Sequence, residues 1–326
     1  VTRHHNRNRL YDLAALLPPL RRLRRQRDSF AARVLALEAA LRAAGGQTHL
    51  YPPGHFHSPQ PDVDEVCSEA GRLFDRSRDV AGIDLDLPGQ LALLEELRAL
   101  IARWPYAPGG SADAETGPDL RYRPGNDFFG WTDSQLWYAL LRRWRPRQVI
   151  EVGSGWSSAL LLDTVDRHDL ETAITCIEPY PERLHALMRP TDHARVTLLA
   201  QRAQDVDPAV LTALRPGDVL FIDSSHVSKV GSDVNHLFFE VLPRLARGVH
   251  VHVHDIAYPF EYPQEWIVEG RAWNEAYLLR AFLIQNDRWR ITLWPSLLHL
   301  RHPDLMTAAL HPATPVDGGS LWLESC

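Results

Sequence analysis

The sequence predicts an α/β protein built on a parallel sheet, preceded by a helical arm and a lid. Three observations point there. From about residue 131, short apolar runs alternate with segments of helical periodicity. One run, Val149-Ile150-Glu151-Val152, leads through Gly153-Ser154-Gly155 into a helix opening at Trp156. Two later runs end on acids and imidazoles, one at Asp223 and His226, the other at His254 and Asp255.

The elements follow in order. Residues 10–44 are helical in pattern, with Leu10, Leu13, Leu17 and Leu20 on one stripe and a break at Pro18 and Pro19. A second stripe holds Leu23, Phe30, Val34, Leu37 and Leu41, and Gly45 and Gly46 end it. The arm, residues 1–45, carries ten arginines against Asp12, Asp28 and Glu38, a local charge of +7. A basic arm suits membrane lipid or nucleic acid, but the expectation is a solvated helix face that helps a homo-oligomer assemble, by a short coiled coil or a docked helix pair. Residues 46–125 read as a cap or lid. They hold a rigid aromatic loop, Tyr51 to Pro59, helices near 62–75 and 88–103, and a Pro- and Gly-rich stretch at 105–125.

Residues 126–326 form the sheet domain. Helix 132–144 precedes strand 147–152, helix 156–166 precedes strand 172–178, and helix 181–189 precedes strand 195–200. Helix 208–214 precedes strand 218–223, and helix 231–246 precedes strand 249–255. A long loop and helix 272–286 lead to strand 289–294, and Leu321-Trp322-Leu323 make a last strand.

Composition limits the function. The 326 residues carry a net charge of −6, so the whole chain is not a polyanion binder, and no nucleic-acid partner is expected. No apolar run approaches the roughly 20 residues needed to cross a bilayer, and the N-terminus lacks the apolar core of a signal peptide. Cys67, Cys176 and Cys326 are odd in number and far apart, which excludes a disulfide framework and a cysteine zinc site. The expected compartment is a reducing cytoplasm. Lys229 is the only lysine.

The glycine turn suits a nucleotide-like cofactor, because Gly153 and Gly155 let a ligand touch the main chain. Ligands of open α/β sheets bind at the carboxyl ends of the strands. The dinucleotide fingerprint G-x-G-x-x-G has Ser158 at its third position here, a partial match. The second strand ends Cys176-Ile177-Glu178, and a carboxylate there can accept two hydrogen bonds from a ribose diol. Nicotinamide enzymes use the same device.

The segment Glu151-Val152-Gly153-Ser154-Gly155 resembles motif I of class I S-adenosylmethionine (SAM)-dependent methyltransferases, and the resemblance covers roughly residues 126–326. It implies a Rossmann-like sheet. Glu151 would help hold the methionine end of SAM, with Gly153, Gly155 and Trp156 packed under the cofactor. Glu178 would take the ribose hydroxyls, and Asp205, following Gln204 after the third strand, would stand near the adenine.

Asp223, His226, His254 and Asp255 stand at the tips of the fourth and fifth strands, neighbours in a parallel sheet. Two carboxylates with imidazoles are metal-ligand material. This resembles the metal-dependent O-methyltransferases of the macrocin type, which methylate macrolide sugars. The resemblance implies a divalent metal on Asp223 and Asp255 and makes His226 the general base for a small-molecule hydroxyl. His254 stands where those enzymes have a carboxylate, so Mn²⁺, Fe²⁺ or Zn²⁺ competes with Mg²⁺. Lys229 is a candidate second catalytic group, as a lysine is in catechol-type enzymes. His250 and His252 share a face with His254 and read as core histidines. His55 and His57 sit in the proline-rich loop, and Asn126 to Trp131 precede the sheet.

The resulting expectation is cytoplasmic, metal-assisted O-methylation of a sugar or a natural product. Its rivals are a metal-independent N-, C- or carboxyl-methyltransferase, an NAD(P)-dependent oxidoreductase and a non-catalytic dimerising scaffold.

Overall fold

The computed structural model describes residues 27, 30, 33–35, 37, 50–106, 120–311 and 318–326. The chain divides into two compact units, residues 1–62 and 63–326. In the first unit the described positions between 27 and 37 are helical. The rest of the expected arm, with its proposed oligomer contacts, lies outside the described residues. The aromatic loop closes on itself: the Gly54 amide donates to the Gln60 carbonyl (3.0 Å), and His55 stacks on Tyr51 at 4.5 Å.

The second unit begins with α1 (Val63–Ser68), α2 (Ala70–Leu73) and α3 (Leu87–Ile101). Asp86 caps α3 by accepting from the Gly89 amide at 3.2 Å. Gln90, Leu94, Leu97 and Ile101 repeat at four and three, and form its buried face. This face packs into the same core as α4 (Trp131–Trp144). A fully buried leucine contributes about 1.5–3 kcal/mol, so residues 87–101 are firmly joined to the sheet.

Then come β1 (Gln148–Val152), α5 (Trp156–Arg167), β2 (Ala173–Ile177), α6 (Glu182–Leu187), β3 (Val196–Leu199), α7 (Pro208–Thr212) and β4 (Val219–Ile222). They are followed by α8 (Asp233–His236), β5 (His250–Val253), α9 (Gln264–Val268), α10 (Glu275–Leu283), β6 (Trp289–Leu293), α11 (Pro295–Arg301), α12 (Pro303–Ala309) and β7 (Leu321–Ser325). The seven strands lie in the order β3-β2-β1-β4-β5-β7-β6. The first five are parallel, and β7 runs antiparallel to both β5 and β6.

Both faces of the sheet are covered, as parallel strands require. Ile150, Val152, Leu220, Ile222, Val251 and Val253 face one core, while Val149, Val219, Phe221 and Trp322 face the other. The two deeper histidines of β5 are aromatic core. His250 stacks on Trp144 and His252 on Phe221, each at 3.8 Å. Burial pushes the pKa of His250 down to about 4 and lowers that of His252.

Several expected helices are shorter than their patterns: 272–286 is helical over Glu275–Leu283, and 208–214 over Pro208–Thr212. The segment predicted at 231–246 is α-helical only over Asp233–His236, widens to a π-turn over Leu237–Val241 and ends in a 3₁₀ turn over Leu242–Arg244. Pro243 has no amide hydrogen to donate, which stops the regular pattern there. Pro190 likewise opens a 3₁₀ turn after α6. Among the described residues no helix is long and apolar enough to cross a membrane.

Candidate functional site

The strand register builds the site. Val152 pairs with Ile222, and Ile222 with Val253, so the residues just beyond them come level. The Asp223 amide donates to the Val152 carbonyl (2.8 Å), and the His254 amide to the Ile222 carbonyl (2.9 Å). Gly153 has φ +79°, and a Cβ there would fall 1.9 Å from the Asp223 carbonyl oxygen. Only glycine lets the β1 tip pass so close to the β4 tip.

Beneath the turn lies Glu151, fully buried. Its Oε2 accepts from the Ser158 hydroxyl, and Ser158 Oγ accepts from the Gly155 amide at 3.0 Å. Glu151 thereby fixes the shape of the turn from below. Its Oε1 has no partner among the described residues, and burial pushes its pKa up to about 7. Glu178 is half-buried, with Oε2 accepting from the Ser154 amide at 3.3 Å and Oε1 from the Tyr180 amide at 2.8 Å.

A cavity of about 620 Å³ opens at these tips. Ser154, Gly155, Trp156 and Arg183 line it together with Asp223, His226, His254 and Asp255. The Arg183 guanidinium lies 3.7 Å over the Phe128 ring, at the same mouth. A second cavity of about 400 Å³ also meets His254 and Asp255, and reaches Asp133, Pro263, Trp266 and Gly319.

The four residues expected at the tips of β4 and β5 come together. His226 Nε2 is 3.4 Å from Asp223 Oδ1 and 3.5 Å from Asp255 Oδ2. Donor atoms of Asp223, His226 and Asp255 all lie within 4.8 Å of one another, a donor set that fits a divalent cation. His254 Nε2 is 3.7 Å from Asp255 Oδ1, and its Nδ1 faces His252 Nε2 at 3.3 Å. Both His226 (φ +58°) and Asp255 (φ +56°) hold left-handed backbone, a conformation that costs non-glycine residues energy and gathers at functional sites.

The charges are strongly coupled. Burial opposes ionisation of Asp223, but the His254 and His226 imidazoles outweigh it and hold its pKa low. Burial pushes Asp255 up. Burial disfavours the charged form of His226, yet Asp223 and Glu275 overcome it and raise the pKa to about 10.

Other expected residues stand elsewhere. Asp205 is exposed and ion-paired with Arg202 at 2.7 Å, outside the cavity lining. Lys229 is exposed and is not among the lining residues either.

Sequence reasoning missed Glu275. It is fully buried, and its Oε2 accepts from His226 Nδ1 at 2.8 Å. An acid in the first turn of a helix is ordinary, so its sequence carried no distinguishing mark. Trp266, Arg271 and Trp273 were missed too. They come from α9 and the turn that follows it, and line the larger cavity, with Arg271 stacked over both indoles at 4.5 and 5.0 Å. Asp133 was also missed: it accepts from the Gly319 and Ser320 amides at 3.0 and 3.1 Å, holding that loop beside Asp255.

Residues 150–256 match the family described as a methyltransferase domain. An uncharacterised protein of Archaeoglobus fulgidus is 31% identical over 164 residues, which cover 48% of this chain and 71% of that one. The family match identifies residues 150–256 as a methyltransferase domain, and the chain as a methyltransferase. Its seven-stranded sheet is consistent with the Rossmann-like class I form of that fold. Similar solved structures include the O-methyltransferase TomG of Streptomyces achromogenes in complex with SAM, at 13% identity and a TM-score of 0.40, covering 81% of this chain and 96% of that one. Another is the methyltransferase PaMTH1 of Podospora anserina bound to S-adenosylhomocysteine (SAH), at 15% identity and a TM-score of 0.39, covering 86% and 100%.

Proposed function

We propose that the protein transfers the SAM methyl group to a hydroxyl of a small molecule, a sugar or a secondary metabolite, with help from a divalent cation. The observation that carries this reading is the cluster of Asp223, His226 and Asp255 in one cavity with the glycine turn. Residues 126–326 are taken as the transfer domain, into whose core α3 also packs.

Gly153, Gly155 and Trp156 would floor the cofactor site, with Glu151 bracing the turn and Glu178 facing the ribose hydroxyls. Asp223 and Asp255 would hold the cation. Of the two imidazoles beside them, one completes the cation's donor set and the other receives the hydroxyl proton; the resemblance assigns the proton to His226. When bound, SAM supplies a methyl on a sulfonium and the cation supplies charge that eases ionisation of the hydroxyl. The protein's own contribution is alignment, which lowers such barriers by about 7–11 kcal/mol in favourable cases.

Calorimetry with SAH tests the donor, and protein that takes up no SAH defeats the reading at its base. Mn²⁺ titration of wild-type protein and of Asp223→Asn tests the cation. The expected result is uptake of one ion by wild type and a large loss in the variant; equal uptake by both removes Asp223 from the site.

A further inference from the structure

We propose that the nitrogen donor to the cation is His226, and that Glu275 is the positioning residue that aims it. The inference rests on the cation reading above and departs from the roles the resemblance implies for His226 and His254.

The geometry around His226 is fixed on every side. Its Nε2 lies between Asp223 Oδ1 and Asp255 Oδ2, at 3.4 and 3.5 Å, inside the donor triangle. Its Nδ1 meets Glu275 Oε2 at 2.8 Å. Glu275 is itself held, because the Ser224 hydroxyl donates to its Oε1 at 3.1 Å. The His226 carbonyl accepts from the Asn274 and Glu275 amides, at 3.0 and 3.1 Å, which ties the start of α10 to the histidine backbone. Trp273 packs on the imidazole ring at 4.4 Å. A carboxylate on the far ring nitrogen is how proteins orient metal-bound imidazoles.

His254 is placed differently. Its Nδ1 is engaged with His252, its Nε2 lies 3.7 Å from Asp255, and among the described residues it is outside the donor cluster. It lines the second cavity, which His226 does not reach, so His254 is the imidazole that faces that space.

Two carboxylates and one imidazole define the class of ion. Mg²⁺ prefers an all-oxygen shell, whereas nitrogen donors favour first-row transition ions. Mn²⁺ accepts both kinds of donor, so the site should bind Mn²⁺ more tightly than Mg²⁺.

The test is Mn²⁺ binding to the full chain, read from the electron paramagnetic resonance signal of the free ion. Wild type, Glu275→Gln, His226→Asn and His254→Asn are compared, with SAH calorimetry and thermal melting as controls for folding. Loss of an outer carboxylate commonly weakens metal affinity about 10–100-fold, and that is the expectation for Glu275→Gln. His226→Asn should lose at least as much, and His254→Asn should stay within about twofold of wild type. If His226→Asn does not fold, the isosteric Glu275→Gln and the His254 variant still decide. Mn²⁺ affinity unchanged in Glu275→Gln, or lost in His254→Asn alone, overturns the inference and leaves the cation reading intact. Wild type that binds SAH but takes up no Mn²⁺ removes the cation reading, and this inference with it.

Discussion

A side chain at position 153 has nowhere to go. The backbone there is left-handed, and a Cβ would meet the Asp223 carbonyl at 1.9 Å. Gly153→Ala should therefore weaken SAH binding by more than tenfold, or about 1.4 kcal/mol, measurable by calorimetry. Retained affinity would mean that the turn does not shape the cofactor site. Glu151 gives a second residue-level expectation. Burial raises its pKa to about 7, so its neutral form favours the folded state, and that stability is lost as pH rises from about 4.5 through 7. Glu151→Gln keeps an acceptor for Ser158 and carries no charge. Its melting temperature should exceed that of wild type at pH 8, and the gap should close toward pH 5. The reverse trend would show that Glu151 is ionised without penalty. At this scale the sequence was legible where a residue sits at the tip of a parallel strand, because neighbouring tips must align: Asp223, His226, His254 and Asp255 were found that way. Glu275 was not, since it reaches His226 from a helix 49 positions later, and no periodicity links them.

Among the elements, the segment ending in Tyr122 is anchored by a buried ion cluster. Arg121 Nη1 meets Asp163 Oδ1 and Asp166 Oδ2, both at 2.9 Å, and Nη2 meets Asp192 Oδ1 at 2.5 Å. The Tyr106 hydroxyl donates to Asp163 at 2.8 Å, drawing the end of the residue 101–106 stretch into the same cluster. Removing one partner of a buried ion cluster costs about 3–5 kcal/mol, so Arg121→Leu should lower the melting temperature markedly at pH 7. Burial opposes ionisation of Asp166 and Asp192, but hydrogen bonds from arginines (Arg195 and Arg121 on Asp166, Arg121 on Asp192) win and hold both pKa values low. Their stabilisation is complete above the unfolded value of about 3.9 and is lost as pH falls below it. The variant should show a shallower loss in acid than wild type; parallel curves would show that the cluster does not act through these carboxylates. Most of the elements were readable from periodicity and proline. The short helices α9, α11 and α12 were not.

For the molecule as a whole, assembly through the N-terminal arm remains a proposal with a direct check. Removing residues 1–45 should convert a dimer to a monomer in light scattering, and a persistent dimer would place the contact elsewhere. The architecture was legible as parallel α/β, but the direction and place of the last strand were not, since a short apolar run carries no sign of polarity. That strand has a further effect. Because β7 lies between β5 and β6, β6 has no partner in the sheet among the described residues until 321–325 arrive. The loop just before β7 also carries Gly319, whose carbonyl accepts from the Ile256 amide at 2.7 Å, next to Asp255. During synthesis on a ribosome, the wall beside Asp255 is thus among the last parts of the sheet domain to form. A nascent chain stalled near residue 310 would hold the glycine turn and the β4 tip while β6 waited unpaired, and such an edge is prone to associate with other chains.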